Sequence, residues 1–136
     1  MSDPASTAEQ VDKAYREYIE AFNKGDVEGA VRAYAFPYFD ITNIDGVPTT
    51  MLVSEEECRQ YFTENPDSVT DEQIAVTIDQ LTVQELAPGI AHAYVAVTRR
   101  TIAGADLGSH QNWYTYVRRN GAWLITGYVS DYPRVS

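Results

Sequence analysis

Asp40 alternates with Phe39 and Ile41 in a stretch of period two, so it belongs to a strand with apolar neighbours. A carboxyl there has two readings. Facing a closed aromatic space, it is desolvated and can move a proton beside a carbonyl; otherwise it faces water or pairs with an arginine. His110 and Asp131 are equidistant from an Asn120-Gly121 turn. They read either as a carboxylate-oriented imidazole suited to proton shuttling or as a surface or interface pair. His92 stands alone on an alternating strand and reads as a packed sheet residue, and Cys58, near Tyr61 and Phe62, as a small buried filler. No His, Cys and carboxylate set has metal-ligand spacing, and neither a phosphate-cradling Gly-rich loop nor a nucleophile elbow occurs, so no metal and no cofactor is expected. The ten tyrosines suit a pocket for a flat, partly apolar small molecule held by stacking and phenolic hydrogen bonds. On strands, tyrosine is also simply a good sheet former.

These groups need elements to position them. Ser6 with Glu9 makes a capping box, and Val11, Ala14, Tyr15, Tyr18, Ile19 and Phe22 follow at helical spacing on one face. Gly25 supplies a left-handed stop and Asp26 caps a second helix, whose stripe is Val27, Ala30, Val31 and Tyr34 before Pro37 forbids continuation. A strand with Phe39 and Ile41 runs to an Asp45-Gly46 turn and a short strand from Thr49 to Val53. Ser54 with Glu57 then caps a third helix that carries Cys58, Tyr61 and Phe62 and stops near Asn65-Pro66. Four long strands follow, Gln73 to Leu86, Ile90 to Ile102, Ser109 to Arg119 and Ala122 to Ser130. In the first, the apolar set changes parity between Ile78 and Leu81, which a bulge near Asp79-Gln80 explains.

A two-residue Asn120-Gly121 loop sets the register of the last hairpin, pairing Arg119 with Ala122 and so on outward. One face then carries Trp113 opposite Tyr128, Thr115 opposite Thr126 and Val117 opposite Leu124. The other carries Tyr116 opposite Ile125, Tyr114 opposite Gly127, Asn112 opposite Val129 and His110 opposite Asp131. Neither face is polar enough to be fully solvated, so the Trp113 and Tyr128 face is expected to line a pocket and the Tyr114 and Tyr116 face to bury against a second copy in a homodimer.

Composition narrows the partners. The 136 residues allow one domain, residues 1–136, and 44% hydrophobic content is ordinary for one core. Sixteen of the twenty carboxylates lie in residues 1–72, so the net charge of −10 sits on the helical half. That surface repels phosphate backbones and anionic membranes, and Arg99-Arg100 and Arg118-Arg119 are too few for a nucleic-acid footprint. No apolar stretch approaches the roughly 18 to 20 residues that span a bilayer. The N-terminus has neither a basic run nor an apolar run and the single cysteine permits no internal disulfide, so a cytoplasmic location is expected.

The order helix, Gly-Asp corner, helix, short hairpin, capped helix and four long strands resembles the NTF2-like superfamily, which includes ketosteroid isomerases and SnoaL-type polyketide cyclases. Residues 14–31, AYREYIEAFNKGDVEGAV, look like its opening helix pair, and Asn120 to Ile125, NGAWLI, like its last hairpin. The resemblance implies an α+β cone, with three N-terminal helices packed on a strongly curved, mainly antiparallel sheet. It puts Tyr18, five residues before Asn23, where ketosteroid isomerases carry an oxyanion-hole tyrosine, with Tyr34 and Tyr61 extending a tyrosine cluster. The general base of those enzymes falls by direct counting on Thr42; Asp40 lies two residues earlier on the same strand face, and Asp45 fits only with a short insertion. Their second donor falls near Thr115, beside Trp113. The implied function is a cofactor-independent isomerase, cyclase or dehydratase with Asp40 as base and Tyr18 as donor, its pocket lined by Tyr34, Tyr61, Trp113, Thr115 and Tyr128. The alternatives are a non-catalytic ligand-binding or accessory domain and a protein-interaction module.

Overall fold

Ser6 accepts the backbone N–H of Glu9 at 3.2 Å, so helix α1 (Thr7–Lys24) begins at the expected N-cap and ends at Gly25, whose φ of 70° only glycine adopts cheaply. The computed structural model describes residues 5–64, 74–101 and 103–131; Asn65-Pro66, Gln73 and Ile102 lie outside the described residues. Asp26 accepts from Gly29 N at 3.0 Å and caps the short α2 (Val27–Val31). Ser54 and Glu57 exchange both capping bonds at the start of α3 (Glu55–Glu64). Arg59 of α3 then grips Glu28 of α2 with two bonds, at 2.8 and 3.2 Å.

Tyr34 does not continue α2 as its apolar spacing predicts. Ile125 N donates to Ala33 O at 2.8 Å, so a neighbouring strand captures the chain there and Tyr34 opens β1 (Tyr34–Ile44). Pro37 sits where the pairing of β1 with its parallel neighbour is interrupted, between Tyr34 and Phe39, so its missing N–H costs no ladder bond. Asp45 and Gly46, with φ of 51° and 85°, turn the chain into β2 (Val47–Val53). Next come β3 (Ile74–Ala87), β4 (Ile90–Thr101), β5 (Asp106–Arg119) and β6 (Ala122–Ser130). They form one curved six-stranded sheet in the order β2-β1-β6-β5-β4-β3, antiparallel except where β1 runs parallel to β6. The expected bulge is present: β3 skips Asp79 against β4 between Ile78 and Gln80.

Helix α1 covers one face of this sheet. Val11, Tyr15, Tyr18 and Ile19 are buried in one cluster with Ala91, Ala93, Val95 and Val97 of β4. The two alanines leave room for the helix, and each fully buried aliphatic side chain contributes about 1.5–3 kcal/mol. Polar bonds fix its position. Trp123 Nε1 of β6 donates to Gln10 at 2.8 Å, and the Asn23 side chain bonds both N and O of Val76, at 2.8 and 3.0 Å. Since β3 is an edge strand, Asn23 satisfies backbone groups that would otherwise be open to another chain.

Candidate functional site

The covered, concave face changes character along its strands. Near α1 it is built of phenols and aliphatics; farther along it becomes polar. On β1, Tyr38, Asp40 and Thr42 recur every second residue and all three are buried, Asp40 being 4% exposed and Thr42 2%. On β5 the same parity holds Tyr116, Tyr114, Asn112 and His110, and β4 ends its row of small aliphatics with the buried Arg99. Ser130 of β6 pairs with Asn112, and Tyr128 with Tyr114 on one side and Asp40 on the other.

The phenols form a connected set. Tyr18 and Tyr34 share a hydrogen bond of 2.8 Å, the Tyr34 and Tyr38 rings lie 4.5 Å apart, and Tyr114 packs on Tyr15 and Tyr128 at 5.3 and 5.1 Å. Tyr128 Oη donates to Asn112 Oδ1 at 3.3 Å. Burial, reinforced by neighbouring phenols, pushes Tyr34 and Tyr114 well above the ordinary tyrosine value; burial does the same to Tyr18 against the lowering effect of its bond to Tyr34. They therefore stay protonated at neutral pH and act as hydrogen-bond donors, not bases. From Tyr38 it is one strand period to Asp40, so the phenol chain leads to a buried carboxyl.

His110 is held below the ordinary histidine range, first by burial and then by the positive charge of Arg99, with Asp131 opposing in part. Its imidazole is therefore neutral near pH 7 and able to accept a proton. Asp131 spends its carboxylate on Gln111, accepting from the backbone N at 2.8 Å. The register expected to set Asp131 opposite His110 is thus replaced by one that sets it opposite Gln111, while its charge still acts on the imidazole. Cys58 is fully buried and its thiol is pushed up to about 12, chiefly by burial, so it is a filler and not a nucleophile.

The register behind that replacement corrects the expected facing of the hairpin. From Arg119/Ala122 to Tyr116/Ile125 the pairs are those set by the turn, but the next is Thr115 with Gly127, leaving Thr126 as an extra residue. Beyond the bulge Tyr128 faces Tyr114, and Trp113 faces Val129. Tyr114 and Tyr116 lie in the core under α1, not at an interface, because α1 covers that face of β5, while Trp113, 42% exposed, and Thr115 are on the outer face. Tyr61 is also displaced from the expected cluster. The buried side of α3 is Cys58 and Phe62, and Phe62 packs on Tyr18 and Tyr34 while Tyr61 is 44% exposed. Asp45 is an exposed turn residue at the hairpin tip.

Sequence reasoning missed Arg99, Asn112 and Ser130 as members of the polar end. A signal existed: Ala91, Ala93, Val95 and Val97 form the smoother row of β4, the one a helix can cover, and the ladder sets His110 and Asn112 level with Val97 and Val95. Among the described residues no group of three or more His, Cys, Asp or Glu is placed to hold a metal ion. None of their helices is long and apolar enough to cross a membrane. A separate groove of about 440 Å³ between α1 and β3, lined by Ala8, Glu9, Asp12, Leu81, Thr82 and Val83, reaches none of the groups above.

Residues 8–133 match the model of a family described as NTF2-like protein (DUF6841). Among curated proteins none matches the chain. Solved structures are similar in fold at low identity. An NTF2-like protein of unknown function from Pseudomonas putida KT2440 is 16% identical, with a TM-score of 0.76 over 96% of this chain and 90% of that one. A scytalone dehydratase-like protein from Novosphingobium aromaticivorans is 8% identical, TM-score 0.70, covering 90% and 80%. The protein Aln2 from a Streptomyces species is 19% identical, TM-score 0.70, covering 90% and 87%.

Proposed function

Because the chain belongs to the NTF2-like protein family DUF6841, whose fold presents one concave sheet face beneath a helical layer, we propose that this face handles a small, partly apolar carbonyl compound by cofactor-independent acid–base chemistry. One observation carries the reading. A carboxyl, Asp40, is buried on the concave face with Tyr38 two residues before it and Tyr128 level with it on β6, and Thr42, Asn112 and Ser130 are buried on the same face. Taking a carboxyl out of water carries a desolvation cost, and sites that do acid–base chemistry are where such groups gather.

In this reading the Asp40 carboxylate takes a proton from the carbon next to the carbonyl. The C–H electron pair becomes the new C=C bond, and the carbonyl π pair moves to oxygen, where the Tyr18 phenol donates to the enolate. Returning the proton to a different carbon gives an isomerisation; if the carbonyl re-forms and a β-hydroxyl takes that proton and leaves as water, the result is a dehydration, the reaction class in the name of one fold relative. His110, neutral and four strand positions from Tyr114, is a second group able to accept a proton. Exchange of α-protons of enolisable ketones in D2O, followed by NMR, tests this directly. Asp40→Asn should slow exchange by roughly 10²–10⁴-fold with ligand affinity little changed. Exchange that survives the substitution excludes Asp40 as the base; binding without any exchange in the wild type leaves the non-catalytic ligand-binding domain.

The outer face suits a second copy of this chain. Ile90, His92 and Tyr94 of β4 lie level with Val117, Thr115 and Trp113 of β5, a patch without carboxylates on a chain of net charge −10. Two copies meet there with least repulsion. Light scattering should give a dimer for the wild type and a monomer for Trp113→Glu.

A further inference from the structure

Thr42 is a buried polar residue whose hydroxyl finds no hydrogen-bond partner among the described residues. Its side chain follows Asp40 by two residues on the same face of β1, so the two project in parallel about 6 to 7 Å apart. Ile41 pairs with Val129, which puts Thr42 level with Ser130, itself paired with Asn112. All of these side chains are nine-tenths or more buried, and Thr42 Oγ1 is buried with no hydrogen-bond partner. A valine would fill this position on a strand equally well without the cost of a dehydrated, unpaired hydroxyl. The neighbouring Asn112 and Tyr128 have already bonded to each other.

Resting on the reading of Asp40 as the base, we infer that Thr42 is a specificity-determining residue whose hydroxyl binds a second oxygen of the substrate. The substrate class is then a carbonyl compound bearing a hydroxyl or carbonyl oxygen some 6 to 7 Å from the carbon that loses its proton, a span set by one strand period. An analogue lacking that oxygen leaves Thr42 as it stands in the free protein and forfeits one buried hydrogen bond. The unpaired hydroxyl is the standing cost of this selectivity.

The probes are 2-tetralone and 6-hydroxy-2-tetralone, which share the enolisable ketone; the hydroxyl of the second lies across the aromatic ring from the acidic carbon, a separation comparable with the Asp40-to-Thr42 spacing. Wild type should bind the hydroxylated ketone about five- to tenfold more tightly, and Thr42→Val should bring the ratio near one, with Thr42→Ser restoring it. Unliganded Thr42→Val should melt at or above the wild-type temperature, because it loses an unpaired hydroxyl and keeps its shape. A fall of more than about 3 °C means that the hydroxyl serves the fold, and the inference fails. It fails equally if wild type binds the two ketones alike, if it binds neither, or if Thr42→Val keeps the preference. Asp40→Asn separates the two proposals: α-proton exchange that persists in it, beside a preference lost in Thr42→Val, removes the base and leaves the subsite, and the opposite pattern removes only the subsite.

Discussion

Removing the Tyr18 hydroxyl should destabilise the protein by more than the bond itself is worth. The 2.8 Å contact between Tyr18 and Tyr34 lies in the core, and Tyr34 is buried to the same degree as Tyr18. Tyr18→Phe therefore loses a bond of about 0.5–1.5 kcal/mol net and also leaves the Tyr34 hydroxyl dehydrated, for a total of about 1–3 kcal/mol. Tyr34→Phe should cost a similar amount for the same reason. In the double variant both polar groups are gone and the rings still pack, so its cost should be about that of either single change, a coupling of about 1–3 kcal/mol. For a chain of this length each kcal/mol corresponds to about 3–5 °C in melting temperature, well within reach of calorimetry, with urea unfolding as the independent measure. Additive costs in the double variant would refute the argument, since they would mean that the two hydroxyls do not depend on each other. A Tyr18 loss confined to turnover, with no change in stability, would equally show that the phenol is not bound within the core.

Asn23→Ala should cost about 1–3 kcal/mol, because both backbone groups of Val76 on the edge of β3 lose their partners, and urea unfolding reads the loss. His110 has a folded pKa below its ordinary 6.5, so between these two values the unfolded chain binds a proton that the folded chain refuses. Stability should therefore be full above about pH 7 and fall as pH drops through the window below 6.5, and His110→Gln should flatten that slope; an unchanged slope assigns the effect to other groups. Gly127→Ala should destabilise by about 1–3 kcal/mol, since a Cβ there falls inside the Phe39 ring that lies across the β1–β6 pair, and Phe39→Leu should recover part of the loss in a thermal melt.

The amino-acid order alone determined the features whose causes act within a few residues. Ser6, Asp26 and Ser54 cap because a side-chain oxygen reaches an N–H three residues on, and Gly25, Asp45-Gly46 and Asn120-Gly121 turn because those residues tolerate positive φ. The parity slip at Asp79 was legible too, since alternation itself records it. Tertiary structure decided which of two equally aromatic faces of β5 meets the helices. Period two marks two faces and does not say which one a helix covers, and the extra residue at Thr126 reverses the parity of the rest of β6, carrying Tyr128 inward and away from the face that holds Trp113. The same holds for the candidate site. Asp40 was visible as a carboxyl among apolar neighbours, but Arg99, His110, Asn112 and Ser130 come from three strands whose joint register exists only in the closed sheet. Their assembly depends on contacts between residues far apart in the chain, which no local spacing encodes.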